Sequence, residues 1–136
     1  SVLLMIAYEE NGKVYLAVIL DDSLLPENYI TIETPPTEPI ESWYIEDGQI
    51  KIDRVKLKQI ERERMPRLTL IEFATVLDAH GLLEAVEDYM ETQAPLLARI
   101  AYQRASFIGR ADPTLIDMAE KLNISPDQVD AMWLSL

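Results

Sequence analysis

Cysteine is absent from the 136 residues, which excludes disulfides, thiolate metal sites and cysteine nucleophiles together. A single histidine, His80, leaves no histidine-rich metal centre and little scope for a catalytic triad. The four glycines are isolated turn residues, so no glycine-rich loop is present to cradle a phosphate. Basic residues are scarce: 12 Lys and Arg face 24 Asp and Glu, a formal net charge of -12, which argues against unassisted binding to a phosphate backbone. No apolar run approaches the roughly 20 residues of a membrane span. Residues 1–7 are apolar but lack a basic flank and a small-residue cleavage pattern, so they do not read as a signal peptide. Met5 is a candidate natural start, with Ser1 to Leu4 an added or alternative lead-in. The default location is cytoplasmic.

What is present is enough to fold. Hydrophobic residues make up 49% of the chain, against disorder. A chain of this size buries roughly two thirds of its unfolded surface, so it needs no disulfide or metal staple and no cofactor is expected. Charge and pattern divide it near Met65-Pro66. Residues 1–45 carry one base against eight acids, 46–66 six against five, and 67–136 five against eleven, which leaves the basic charge mainly in the middle.

The first part, 1–52, reads as strands. Leu3 to Tyr8 and Lys13 to Leu20 flank Asn11-Gly12, a strong short-range hairpin signal because both turn residues tolerate positive φ. Tyr29 to Glu33 is a third short strand, and Pro35, Pro36 and Pro39 enforce an extended connector. Trp43-Tyr44-Ile45 and Gln49 to Ile52 form a second hairpin with Asp47-Gly48 at its turn. Residues 53–66 turn charged and helical, a connecting helix ended by Pro66. The expected fold class is α+β: a small antiparallel β module followed by a five-helix bundle over 67–136.

Those five helices are punctuated in the sequence. Thr69 to Glu72 and Ser125 to Gln128 have the spacing of capping boxes. Gly81 reads as a helix stop, and Leu82 to Thr92 as the second helix. Pro95 opens Leu96 to Phe107, closed by Gly109, and Asp112-Pro113 opens Thr114 to Leu122, with Asn123 as a left-handed stop.

Several residue groups invite a chemical reading. Glu84, Glu87, Asp88 and Glu91 recur at i, i+3, i+4 and i+7, which stacks four carboxylates on one helix face. Adjacent carboxylates of this kind more often form a solvated face; as a contact surface they suit a basic protein partner, and a divalent ion is the least favoured reading, because no calcium-loop spacing accompanies them. Leu115 to Trp133 has the pattern of a helix-turn-helix, with Ala119 at the crossing and Leu122, Ile124 and Val129 in the shared core. Its second helix would offer Asp127, Gln128 and Asp130 to a groove that phosphate-binding proteins approach with Lys and Arg, so the pair reads as structural. His80 precedes Gly81 at a helix end, where a cation favours the dipole. Ser106 and Ser125 sit in no nucleophile motif. Trp43 and Tyr44 are adjacent on a strand, so one faces the core and the other is an interface candidate. Together these features point to a protein that binds another protein and is not an enzyme. Its site residues are expected at Trp43, Tyr44, Glu84, Glu87, Asp88 and Glu91.

Residues 67 to 133 also resemble small bacteriophage and prophage proteins of the tail gene region. The matching elements are Leu68-Thr69 with Glu72-Phe73, Gly81-Leu82-Leu83 with Ala85-Val86-Glu87, and Arg99-Ile100 with Tyr102, Ala105 and Phe107. They continue through Asp112-Pro113, Leu122-Asn123-Ile124 and Gln128-Val129-Asp130. Tyr8 and Gly12 to Tyr15 look more loosely like the β starts of tail-fibre assembly or tail accessory proteins. The resemblance implies a tail-associated accessory or assembly chaperone that binds a tail or tail-fibre protein in the host cytoplasm or the virion. It offers no site residues to carry over; the expectation of no membrane and no direct nucleic-acid contact comes from the apolar runs and the charge, and homo-oligomerisation stays open. The competing reading is an acidic decoy that imitates nucleic acid and inhibits a host defence or nucleic-acid enzyme; a helix-turn-helix regulator comes third, disfavoured by charge.

Overall fold

A computed structural model describes residues 3–136; Ser1 and Val2, part of the stretch ahead of Met5, lie outside it. The chain is of mixed α+β class and divides into two units, Ser1–Ile60 and Glu61–Leu136.

In the first unit β1 (Leu4–Glu10) and β2 (Lys13–Ile19) pair antiparallel, with Tyr8 opposite Tyr15 and Glu10 opposite Lys13. The turn between them has φ of 54° at Asn11 and 76° at Gly12, the doubly left-handed geometry whose twist matches that of a hairpin. The Tyr8 and Tyr15 rings stack at 5.5 Å. The predicted third strand contracts to β3 (Ile30–Thr31), which adds to the other side of β1 and gives the order β2-β1-β3. After the proline-rich connector, β4 (Trp43–Glu46) and β5 (Gln49–Ile52) form the second hairpin, again with left-handed Asp47 and Gly48. The small core gathers Ala7, Val14 and Trp43, with Ile30, Ile45 and Ile52 against them.

Asp53 begins α1 (Arg54–Glu63): its carboxylate accepts the N–H groups of Val55 and Lys56, both at 3.1 Å. The division between the units falls inside α1, ahead of the Met65-Pro66 step that the composition marks. The residues beyond Ile60 belong with the helical part by their contacts. Met65 packs on its core, and the Pro66 carbonyl accepts the Trp133 indole N–H at 2.9 Å.

The second unit runs β6 (Leu68–Thr69), α2 (Leu70–Ala79), α3 (Leu83–Thr92), α4 (Leu96–Arg104), β7 (Phe107–Ile108), α5 (Pro113–Lys121) and α6 (Pro126–Leu134). Both capping boxes form in full, at Thr69 with Glu72 and at Ser125 with Gln128. Gly81 and Asn123 have φ of 70° and 56°, so each releases its helix through the left-handed region as expected. Phe73, Leu77, Val86, Tyr89, Met118 and Trp133 lie at the centre of one core.

One element departs from the sequence reading. Leu96 to Phe107 is not a single helix: α4 ends at Arg104, Ala105 turns extended, and Phe107-Ile108 pairs with Leu68-Thr69 as a two-residue ladder. Helix propensity at this point loses to burial. Ile108 reaches the core only from the extended backbone, where it sits opposite Leu68.

Candidate functional site

α3 carries the acidic row. Val86, Tyr89 and Met90 turn into the core and fix the rotation of the helix, and that rotation leaves Glu84, Glu87, Asp88 and Glu91 exposed on the other side. Between Gly81 and Ala98 the sequence holds no Lys or Arg, so α3 has no cation of its own to neutralise the row. Two tyrosines tie its surroundings together. Tyr89 donates to Asp117 at 3.4 Å from beneath, and Tyr102 on α4 donates to Glu87 at 3.3 Å. Burial, followed by the charge of Glu87 and its hydrogen bond, pushes the Tyr102 phenol up to about 12. Tyr102 is therefore a neutral donor that holds one carboxylate of the row in place.

The aromatic pair of the β unit is split by the pleat. Trp43 is buried, with its indole N–H on the Glu38 carbonyl at 2.9 Å, and it serves the small core. Tyr44 faces out and is the member available for contact. Trp43 and Tyr44 belong to the first unit, the acidic row to the second.

The helix pair α5–α6 has the core positions expected of it, with Ala119, Ile124 and Val129 buried and Leu122 half-buried. Its outward residues differ. Asp127 is exposed, but Gln128 spends its side-chain oxygen on the Ser125 N–H, and Asp130 is 7% exposed. Asp130 does not project toward a groove: it is the acceptor between two arginines. Arg62 grips it with a fork, Nε to Oδ1 at 3.0 Å and Nη2 to Oδ2 at 2.9 Å, and Arg110 Nε reaches Oδ1 at 2.7 Å. Arg110 is itself 4% exposed and gives its Nη2 to the Pro126 carbonyl at 3.1 Å. Burial pushes the Asp130 carboxyl up, but the hydrogen bonds and charges of Arg62 and Arg110 outweigh it and hold the group below its usual value. This cluster locks the end of α1 and the loop before α5 onto α6. Nothing in the local sequence marks it, since the partners lie 68 and 20 residues away.

The remaining candidates resolve as structural groups. His80 caps α2, with Nδ1 2.9 Å from the Val76 carbonyl, and Ser125 is an N-cap. Among the described residues no group of three or more His, Asp or Glu could hold a metal ion, and no helix is long and apolar enough to cross a membrane. No family model matches the chain, and neither a curated protein nor a solved structure shows significant similarity to it.

Proposed function

We propose that the protein is a non-catalytic binding accessory that recognises a basic protein partner through the acidic face of α3. One observation carries this reading. Four carboxylates stand exposed in a row on a helix whose opposite side is fixed in the core, so the negative field has a rigid carrier. A fixed field of this kind speeds encounter with a basic surface and disfavours acidic competitors. Tail assembly as the setting, and a tail or tail-fibre protein as the partner, follow from the resemblance of residues 67 to 133 to phage tail-region proteins.

The test is a capture experiment from phage-producing cells with the full chain and with a variant carrying Glu84→Lys, Glu87→Gln, Asp88→Lys and Glu91→Lys. The expected result is recovery of a tail protein by the native chain, weakened by salt and lost in the variant. Recovery of no tail protein, under conditions that preserve known tail contacts, overturns the assembly role. The net charge of -12 also suits an acidic decoy. Capture of a nucleic-acid enzyme that DNA displaces would establish that reading instead.

A further inference from the structure

The second unit contains a half-open pocket of ≈ 160 Å³ beside the acidic row. Phe73 and Met90 form part of its wall, Tyr102 and Phe107 another part, and Leu115 and Met118 of α5 a third. α4, which contributes Ala101 and Tyr102 to the pocket, has none of its residues fully buried, and Leu96 and Leu97 lie exposed on it. An apolar hollow of about 150 Å³ accommodates a benzene ring, so this one has the capacity for a single phenyl group. Its walls also favour an aromatic over an aliphatic guest. Three aromatic rings offer edges and faces, and two thioethers offer sulfur–aromatic contacts.

Charge fixes what must surround that ring. Tyr102 lines the pocket and at the same time donates to Glu87, so the acidic row of α3 begins at the pocket wall. Asp112, the N-cap of α5, adds another carboxylate to the lining. At the Phe107 edge of the wall the Arg67 guanidinium stacks 4.9 Å from the ring centre. Approach by way of Tyr102 and Asp112 therefore meets negative charge.

We infer that this pocket takes a phenylalanine side chain from a basic segment of a partner protein, with the ring in the hollow and the flanking Lys or Arg on the α3 carboxylates. The inference rests on the reading of α3 as a docking face and adds to it the residue that would supply specificity. Carboxylates exposed to water give steering but little affinity, whereas a buried ring supplies affinity by removing apolar surface from water.

The experiment uses the full chain at low ionic strength with three blocked peptides: Lys-Lys-Phe-Lys-Lys, the same with Ala for Phe, and Ser-Ser-Phe-Ser-Ser. Binding is followed through the methyl NMR signals of Met90, Met118 and Leu115. The expected result is saturable shifts of these methyls with the first peptide, affinity weaker by about two- to tenfold for the serine peptide, which loses only water-exposed charge pairs, and weaker by about ten- to a hundredfold for the Ala peptide. Ala101 is exposed and lines the pocket, so Ala101→Leu fills the mouth without entering the core and should weaken the first peptide by a similar factor. Equal binding of the Phe and Ala peptides, with the methyls unmoved, overturns the pocket while leaving the acidic face as the docking site. Equal binding of the basic and serine peptides within the pocket overturns the basic partner. Absence of any methyl shift with all three overturns the inference, and the capture experiment then judges the acidic face separately. If Ala101→Leu does not fold, the three peptides on the native chain still decide.

Discussion

Replacing Asp130 by Asn is the sharpest test of what holds the second unit together. In the native protein Asp130 accepts from Arg62 and Arg110, and the side chains of Asp130 and Arg110 are 10% and 4% exposed. Asn keeps the volume and one acceptor but removes the negative charge, which leaves Arg110 a buried cation beside a second guanidinium, with the Pro126 carbonyl and the amide oxygen as neutral acceptors. Breaking a buried pair in this way costs about 3–5 kcal/mol, because the stranded charge keeps its desolvation penalty. A unit of this size is stable by only ~5–10 kcal/mol, so the change takes a large share of the total. With a urea slope of about 1.5 kcal/mol per molar, the midpoint of unfolding should fall by roughly 2–3 M. Far-UV circular dichroism is the natural probe, since α2 to α6 dominate its signal. The matching control replaces all three members by apolar residues: Arg62→Met, Arg110→Met and Asp130→Leu. Its stability should lie within ~2 kcal/mol of the native value or above it, because no charge is left unpaired in the interior and Asp127, which loses Arg62, is exposed. A cost below ~1 kcal/mol for Asp130→Asn, or a triple variant worse than the single one, would show the cluster to be too well hydrated for this reasoning.

Acid should reveal the same cluster. The folded-state Asp130 carboxyl titrates below its unfolded value, so its contribution is complete above that unfolded value, about 3.9, and disappears as pH falls through the folded one. Asp130→Asn should lack this increment of acid sensitivity in urea midpoints taken below about pH 5. Tyr102 acts at the other end of the scale. Its folded value near 12 lies above the ordinary 10.0, so the folded state holds the extra proton and stability should decline as pH rises between them. The decline is bounded at ~1–2 kcal/mol because the ring is only about half buried. In tyrosinate absorbance, Tyr102→Phe should remove a titration step near 12; survival of that step in the variant would contradict the burial argument. Thr69→Ala and Ser125→Ala each break a capping box and should each lower stability by about 1 kcal/mol, measured by urea titration. Asn123→Val forces a β-branched residue to φ of 56° and should cost about 1–2 kcal/mol, while Asn123→Gly should cost little or nothing.

Much of the architecture was legible because its determinants are local. Asn11-Gly12 and Asp47-Gly48 select the two hairpin turns by backbone permissiveness alone, and both adopt the left-handed geometry. Capping spacings fixed the starts of α2 and α6 for the same reason: each box closes within four residues. The acidic row was legible too, since a period of 3.6 residues places Glu84, Glu87, Asp88 and Glu91 together wherever the helix packs. Val86, Tyr89 and Met90 turn its other side inward.

What the tertiary structure decided are the features whose partners lie far along the chain. Helical spacing put Asp130 among the polar residues of α6, and only the approach of Arg62 and Arg110 makes its burial tolerable, since a charge leaves water when opposite charges replace the solvent. Phe107 looked like the end of a helix until Ile108 found Leu68, because short-range propensity is worth tenths of a kcal/mol and a buried isoleucine about 2. The pocket is the clearest case. Its walls come from α2, α3, α4, β7 and α5, and of these α2, α3 and α5 bury an apolar side for reasons written in their own sequence. The hollow left between them depends on how those surfaces meet, and no periodicity within one element encodes that.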